Sequence, residues 1–140
     1  MRRNVVSAFL VIRNSVPLMT KGGGGSVVCI SSDAAKVPWP FLTLYNTSKS
    51  GVEGLVRGAA LELGPLNIRV NAVRPGLVKT DFAKALWEDK DAREQREEET
   101  PLRRLGEPND LAGAAVYLAS RAGAWTTGQN IVVDGGVTAV

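Results

Sequence analysis

Apolar positions crowd the start of the chain: "VVSAFLVIRNSVPLM", residues 5–19, is hydrophobic almost all round. That pattern predicts a helix buried against more than one neighbour, ended by Pro17 and the glycines Gly22 to Gly25. The next run, "SVVCISS", is short, continuous, rich in β-branched residues and bounded by turn signals. It reads as a parallel strand covered on both faces. A loop, "DAAKVPWPFLTL", follows, marked by Pro38 and Pro40. From about Thr43 to Gly64 the apolar residues Val52, Leu55, Val56, Ala59, Ala60 and Leu63 recur at helical spacing, and Gly64-Pro65 stops the segment.

A second strand, "NIRVNAV", leads into the loop "RPGLVKTDF". Residues 83–99 read as one highly charged helix with a solvated face, with Asp89 and Arg93 spaced for an i,i+4 ion pair. "GEPNDLAGAAVYLAS" predicts another helix, opened by Pro108 and followed by Gly123, and "NIVVDGG" predicts a third strand. Helix and strand alternate throughout, which builds βαβ crossovers. The predicted class is α/β, a doubly wound parallel sheet of about three strands flanked by helices. In such sheets a ligand sits beyond the carboxyl ends of the strands. Ser31-Ser32 and Arg74-Pro75-Gly76 fall there.

Composition narrows the choices. At 140 residues, 44% hydrophobic and 22% charged, the chain suits one domain with a core of ordinary size. It has no run of about 18 apolar residues and no small-residue cleavage signal near its start, which points away from a membrane span and toward a cytoplasmic protein. A single cysteine, Cys29, rules out an intrachain disulfide, and the absence of histidine rules out a His-based triad or zinc site. Cys29 lies in an apolar run and reads as a buried, inert thiol. The net charge of +3 comes from Lys and Arg scattered among acids rather than gathered in a patch, which disfavours nucleic acid as a partner.

The chemistry lies in "YNTSK". Tyr45 and Lys49 are one helical turn apart and point the same way if the segment is helical. A phenol alone is a poor base at neutral pH. A neighbouring ammonium stabilises the phenolate form and fits the phenol for general acid/base work. Ser32, thirteen residues before Tyr45 at the mouth of the first strand, could hold a substrate oxygen beside the phenol. These groups make a proton-transfer site for a carbonyl/alcohol pair, to which a hydride carrier would add the rest. Tyr-x-x-x-Lys alone recurs by chance in helices. The sequon Asn46-Thr47-Ser48 lies inside a predicted helix and is read as coincidence.

Taken together, Ser32, "YNTSK", "NIRVNAVRPGLVKTDF", "RRLGEPNDLAGAAVYLAS" and "TGQNIVVDGG" closely resemble the carboxyl-terminal half of the short-chain dehydrogenase/reductase family. The stretch from "ALWEDKD" through "LRRLGEP" is most similar to its carbonyl reductase and retinol dehydrogenase branch. The resemblance implies an oxidoreductase using NAD or NADP on a small-molecule alcohol or carbonyl. It implies Tyr45 as general acid/base, Lys49 as its electrostatic partner and holder of the nicotinamide ribose, and Ser32 as the group orienting the substrate oxygen. Asn4 matches the asparagine that anchors a proton-relay water, and equally suits an exposed helix start. Pro75, Gly76, Val78 and Thr80 match the loop contacting the nicotinamide carboxamide and phosphates. Ser32 and Thr80 also suit simple capping, and Pro75-Gly76 any tight turn. Residues 82–104 correspond to the substrate-binding loop, where Phe82, Leu86 and Trp87 would close over an apolar substrate; core packing suits Trp87 equally.

One departure from the family is large. No Gly-x-x-x-Gly-x-Gly turn lies between a strand and a helix, and Gly22 to Gly25 follow a helix and precede a strand. The residues that choose between NAD and NADP are also missing. The resemblance thus implies that residues 1–140 are a partial Rossmann-like catalytic domain lacking the amino-terminal dinucleotide-binding βαβ, either truncated or a natural short product. The strand "SVVCI" would then keep an unpaired apolar edge. Two functions stay open: a catalytic half active with its amino-terminal half, or a non-catalytic binding or assembly module. Helices 5–19 and 43–64 form the subunit interface in many members, implying a homo-oligomer, dimer or tetramer.

Overall fold

The computed structural model describes residues 1–139. Its centre is a parallel sheet of three strands, β1 (Gly25–Ile30), β2 (Ile68–Pro75) and β3 (Asn130–Val133), in that spatial order. β1 runs in register with β2 from Gly25 opposite Ile68 to Ile30 opposite Val73, and β2 with β3 from Ala72 opposite Asn130 to Pro75 opposite Val133. The predicted doubly wound α/β class is what forms. β2 is the fully covered strand: Ile68, Val70, Ala72 and Val73 are wholly buried. β1 is an edge strand and only half-buried, as a strand lacking one neighbour must be.

Two long helices, α1 (Ser7–Lys21) and α2 (Thr43–Leu63), cover one face of the sheet. Ile12 of α1 and Val56, Ala59 and Ala60 of α2 meet Ile68, Val70 and Ala72 in a common core. On the other face lies α5 (Pro108–Ala119), whose buried Leu118 carbonyl accepts from Ser26 Oγ at 2.8 Å and from Arg69 Nη2 at 2.8 Å. Two shorter helices, α3 (Lys84–Trp87) and α4 (Lys90–Glu99), sit between β2 and α5 along the chain.

Four expectations are corrected. Pro17 does not end α1, which continues to Lys21. The proline removes one backbone donor, but the helix still closes, with Gly22 N–H bonding the Leu18 carbonyl and Gly24 N–H the Met19 carbonyl. Nor is α1 buried all round: Ile12 is its only buried residue, and Phe9, Leu10, Val11 and Leu18 are exposed. Finally, residues 83–99 form two helices rather than one. Asp89 has extended backbone and accepts from Ala92 N–H at 2.8 Å, so the carboxylate expected to pair with Arg93 caps α4 instead.

Ahead of α1, Arg2–Val6 form a wide helical turn lying against α2. A Cβ on Gly51 would come within 2.9 Å of Val5 Cγ2, so only glycine allows this approach. The contact brings Asn4 to the helix that carries Tyr45 and Lys49.

Candidate functional site

α2 presents Tyr45, Lys49 and Glu53 at successive turns of one face. The Lys49 ammonium lies 5.7 Å from the centroid of the Tyr45 ring, within cation–π range. It also donates to the Ile30 carbonyl at 3.0 Å, which ties the helix to the carboxyl end of β1. Both side chains are half-buried. Burial pulls the Lys49 pKa below that of an ordinary lysine, with Cys29 opposing. Cys29 shifts the other way: burial raises its thiol pKa, against the pull of the Lys49 charge. The thiol is half-buried rather than buried as its apolar run suggests, because β1 is an edge strand.

Ser32 is buried at the mouth of β1. Its hydroxyl donates to Asp33 Oδ1 at 2.9 Å and accepts from Ala34 N–H at 3.3 Å, capping the short turn Asp33–Ala35. The capping alternative therefore describes its contacts here, and among the described residues no hydrogen bond joins Ser32 to Tyr45. Asn4 is half-buried and donates through Nδ2 to Ser48 Oγ at 2.7 Å; Ser48 in turn donates to the Tyr45 carbonyl at 2.8 Å. This bond sets Asn4 against α2, and Asn4 also lies in the helical turn that opens the chain. Asn46, the would-be glycosylation acceptor, is buried, with Nδ2 donating to the Trp39 carbonyl.

Beyond β2, the Gly76 backbone passes so near Asp134 that a Cβ would sit 3.0 Å from its Cα. Val78 is buried and Thr80 exposed. The Phe82 ring stacks near Tyr45 with centroids 6.3 Å apart, so one member of the expected substrate loop does reach the phenol. Trp87 is half-buried and donates to the Thr80 carbonyl at 2.9 Å, while Leu86 is exposed. Two grooves flank these residues. One, of about 300 Å³, lies between α1 and β1 and is lined by Asn4, Ile12, Cys29, Ile30 and Lys49. The other, of about 180 Å³, is lined by Gly76, Val78, Arg104, Asp110 and Asp134.

Sequence reasoning missed a buried cluster. Glu53 is 5% exposed and accepts from Arg74 twice, from Nε at 2.8 Å and from Nη2 at 2.7 Å. It also accepts from Ser31 Oγ at 2.8 Å. Burial pushes the Glu53 carboxyl pKa up, but the bonds from Arg74 and Ser31 and the Arg74 charge outweigh it and hold the group below the usual carboxylate value. The available signal was a glutamate one turn after Lys49 and an arginine closing an apolar strand. A second missed contact is the guanidinium of Arg96 on α4, stacked 3.5 Å over the Trp39 ring.

The chain is similar to known proteins along nearly its whole length. A family model described as enoyl-(acyl carrier protein) reductase matches residues 1–138. The human protein named dehydrogenase/reductase SDR family member 4 is 47% identical over 133 residues, covering 95% of this chain and 48% of the relative. A gluconate 5-dehydrogenase from Burkholderia cenocepacia, solved with NADP and tartrate, superposes with a TM-score of 0.97 at 31% identity, covering 100% of this chain and 55% of that one. A 7α-hydroxysteroid dehydrogenase, solved with NADH and 7-oxo glycochenodeoxycholic acid, gives 0.91 at 41% identity, covering 95% of this chain and 52% of that one. The chain thus spans about half the length of the curated relatives it matches. On these matches, and on the fold that carries them, the chain belongs to the short-chain dehydrogenase/reductase family.

Proposed function

We propose that this chain is the catalytic half of an NAD(P)-dependent oxidoreductase that interconverts a small-molecule alcohol and its carbonyl. The observation that carries the reading is the shared face of α2, where the Lys49 ammonium lies 5.7 Å from the Tyr45 ring centroid and is anchored at the carboxyl end of β1. In reduction, Tyr45 gives its hydroxyl proton to the carbonyl oxygen, and in oxidation it takes that proton from the alcohol. Lys49, desolvated, stabilises the tyrosinate left behind. Ser32 turns its hydroxyl from Asp33 to the substrate oxygen, and Asn4 holds the start of the chain against α2, where a relay water would sit.

The residues present fit the nicotinamide end of a dinucleotide. Lys49 spends one of its three donors on Ile30, leaving two for ribose hydroxyls. Pro75, Gly76, Val78 and Thr80 line the loop that would meet the carboxamide and phosphates. NAD or NADP, when bound, supplies or accepts the hydride at the substrate carbon. The Gly-rich strand-to-helix turn that would receive the pyrophosphate is not in this sequence, so residues 1–140 make a partial Rossmann-like domain and activity would need an amino-terminal half. Phe82, stacked beside Tyr45, favours an apolar substrate, with Leu86 and Trp87 in the same loop.

The test is ketone reduction with NADH and NADPH by the chain joined to the amino-terminal half of a relative. Tyr45→Phe should lower kcat by about 10²-fold or more; equal rates overturn the assigned role. A second reading, a non-catalytic assembly module, is favoured by the exposed apolar residues Phe9, Leu10, Val11 and Leu18 on α1 and by the open edge of β1. Helices α1 and α2 would then pair with another copy or a relative. That reading requires that the isolated chain bind no dinucleotide on titration and sediment as an oligomer. Among the described residues no helix is long and apolar enough to cross a membrane.

A further inference from the structure

We propose that Glu53 is the positioning residue of this site: one buried carboxylate locks the carboxyl ends of β1 and β2 to the helix that carries Tyr45 and Lys49. The geometry stands by itself, and its catalytic consequence rests on the function proposed above. Glu53 follows Tyr45 by two turns and Lys49 by one on the same face of α2. Lys49 holds the Ile30 carbonyl and Glu53 holds the Ser31 hydroxyl, so consecutive turns of the helix grip the last residue of β1 and the residue that follows it. Ser31 immediately precedes Ser32, and its own N–H bonds the Val73 carbonyl of β2.

The same carboxylate takes both forks of Arg74, which immediately precedes Pro75 and Gly76. Its Oε1 accepts from Ser31 Oγ and Arg74 Nε, and its Oε2 from Arg74 Nη2. Two segments that must meet a substrate and a nicotinamide are therefore set against the acid/base helix by one group. A buried ion pair adds little net stability compared with apolar packing, and its best-attested use is to fix one arrangement. The attachment points fit that use, because both partners of Glu53 adjoin residues of the site. Ser50 Oγ, donating to the Ala35 carbonyl at 3.0 Å, adds a further link from α2 to the loop after Ser32.

The experiment is residue-resolved amide hydrogen exchange on the 140-residue chain, using Ser31→Ala and the double replacement Glu53→Leu with Arg74→Met. Ser31→Ala removes only the tether to β1. It should speed exchange about tenfold at Ala34 and Ala35, whose N–H groups bond within the Ser32 turn, while Gly76 and Val70 are unchanged. The double variant should loosen Gly76 as well, with Val70 still protected. Unchanged exchange at Ala34 and Ala35, or a rise shared equally by Val70, overturns the proposal. In the joined enzyme Ser31→Ala should lower kcat about tenfold to a hundredfold, with KM for the dinucleotide within about twofold. A parent-like kcat in Ser31→Ala would overturn the catalytic consequence. Activity of Tyr45→Phe equal to the parent would instead overturn the proposed function and leave the exchange pattern standing, so the two failures are told apart.

Discussion

Breaking the Glu53–Arg74 pair one side at a time, then on both sides together, measures what that pair does. In Glu53→Leu the apolar side chain fills much of the same space, but the Arg74 guanidinium, only 14% exposed, loses its bidentate partner and the Ser31 hydroxyl its acceptor. Stranding one member of a buried pair costs about 3–5 kcal/mol, and the lost Ser31 bond about 1 kcal/mol more. Against a total stability of about 5–15 kcal/mol, that is a large fraction. At a urea slope of about 2 kcal/mol/M the midpoint should fall by about 2 M. Arg74→Met should cost a similar amount by leaving the carboxylate, 7% exposed, alone. The double variant should return to within about 1 kcal/mol of the parent, because both charges then leave together. A coupling energy of about 3 kcal/mol or more is the expected result of the cycle. The pH dependence has a definite sign. Because Glu53 is held below the ordinary value, its contribution is complete above about pH 4.3 and is lost as pH falls through its folded-state value. The deficit of Glu53→Leu should therefore be flat from pH 6 to 8 and shrink in acid. Additive single effects, with coupling under about 1 kcal/mol, would refute the reasoning and class the pair with solvent-screened surface bridges.

Asp33 should behave with the opposite sign. Burial raises its carboxyl pKa, against the bonds from Ser32 and Ala34 and the charge of Arg96, so the stability it contributes is present in acid and lost as pH rises through the raised value. Asp33→Asn should therefore gain on the parent between pH 4 and pH 8 in urea midpoints; a gap that stays constant refutes this. Phe41 holds φ at +64° and is fully exposed, so Phe41→Gly should raise stability by about 1 kcal/mol by relieving the left-handed strain. A lowered thermal midpoint would show that the ring makes contacts that matter.

The strands and α2 were legible because their signals are local: β-branched runs between turn residues, and an apolar repeat at helical spacing. Tyr45 and Lys49 were legible for the same reason, since two residues one turn apart on a helix must share a face. The errors arose where a local signal met a tertiary condition. Pro17 signals a stop, yet a proline costs a helix one donor and need not end it. The spacing makes Asp89 one partner of an i,i+4 pair, but an aspartate at a break in the helix is better satisfied by capping an N–H. The apolar pattern of α1 calls for burial on more than one side, but a pattern along one segment does not supply the neighbours. Glu53, Arg74 and Ser31 stayed hidden because they are 21 and 22 residues apart and meet only when β1 and β2 align. The same holds for Trp39 and Arg96, which lie on different elements.

On the proposed function, the spacing of the grips on α2 is what lets an amphipathic helix hold an acid/base group in place. A helix packed only through Val56, Ala59 and Ala60 meets the sheet through smooth apolar surface, which resists separation better than it resists sliding. A slide of one turn would move the Tyr45 oxygen by about 5.4 Å, while a working acid/base group must be held within about 0.5 Å. Lys49 on the Ile30 carbonyl, Glu53 on the Ser31 hydroxyl and Ser50 on the Ala35 carbonyl are directional bonds to successive points of one strand and its loop. A single-turn shift would bring Lys49 or Arg57 to the place of Glu53, so the Arg74 guanidinium would lose its carboxylate and face a second cation. The apolar core therefore sets which face of α2 is buried, and the polar stripe sets its register along the strand. Register is the quantity that places a phenol relative to Ser32 and the Pro75-Gly76 loop.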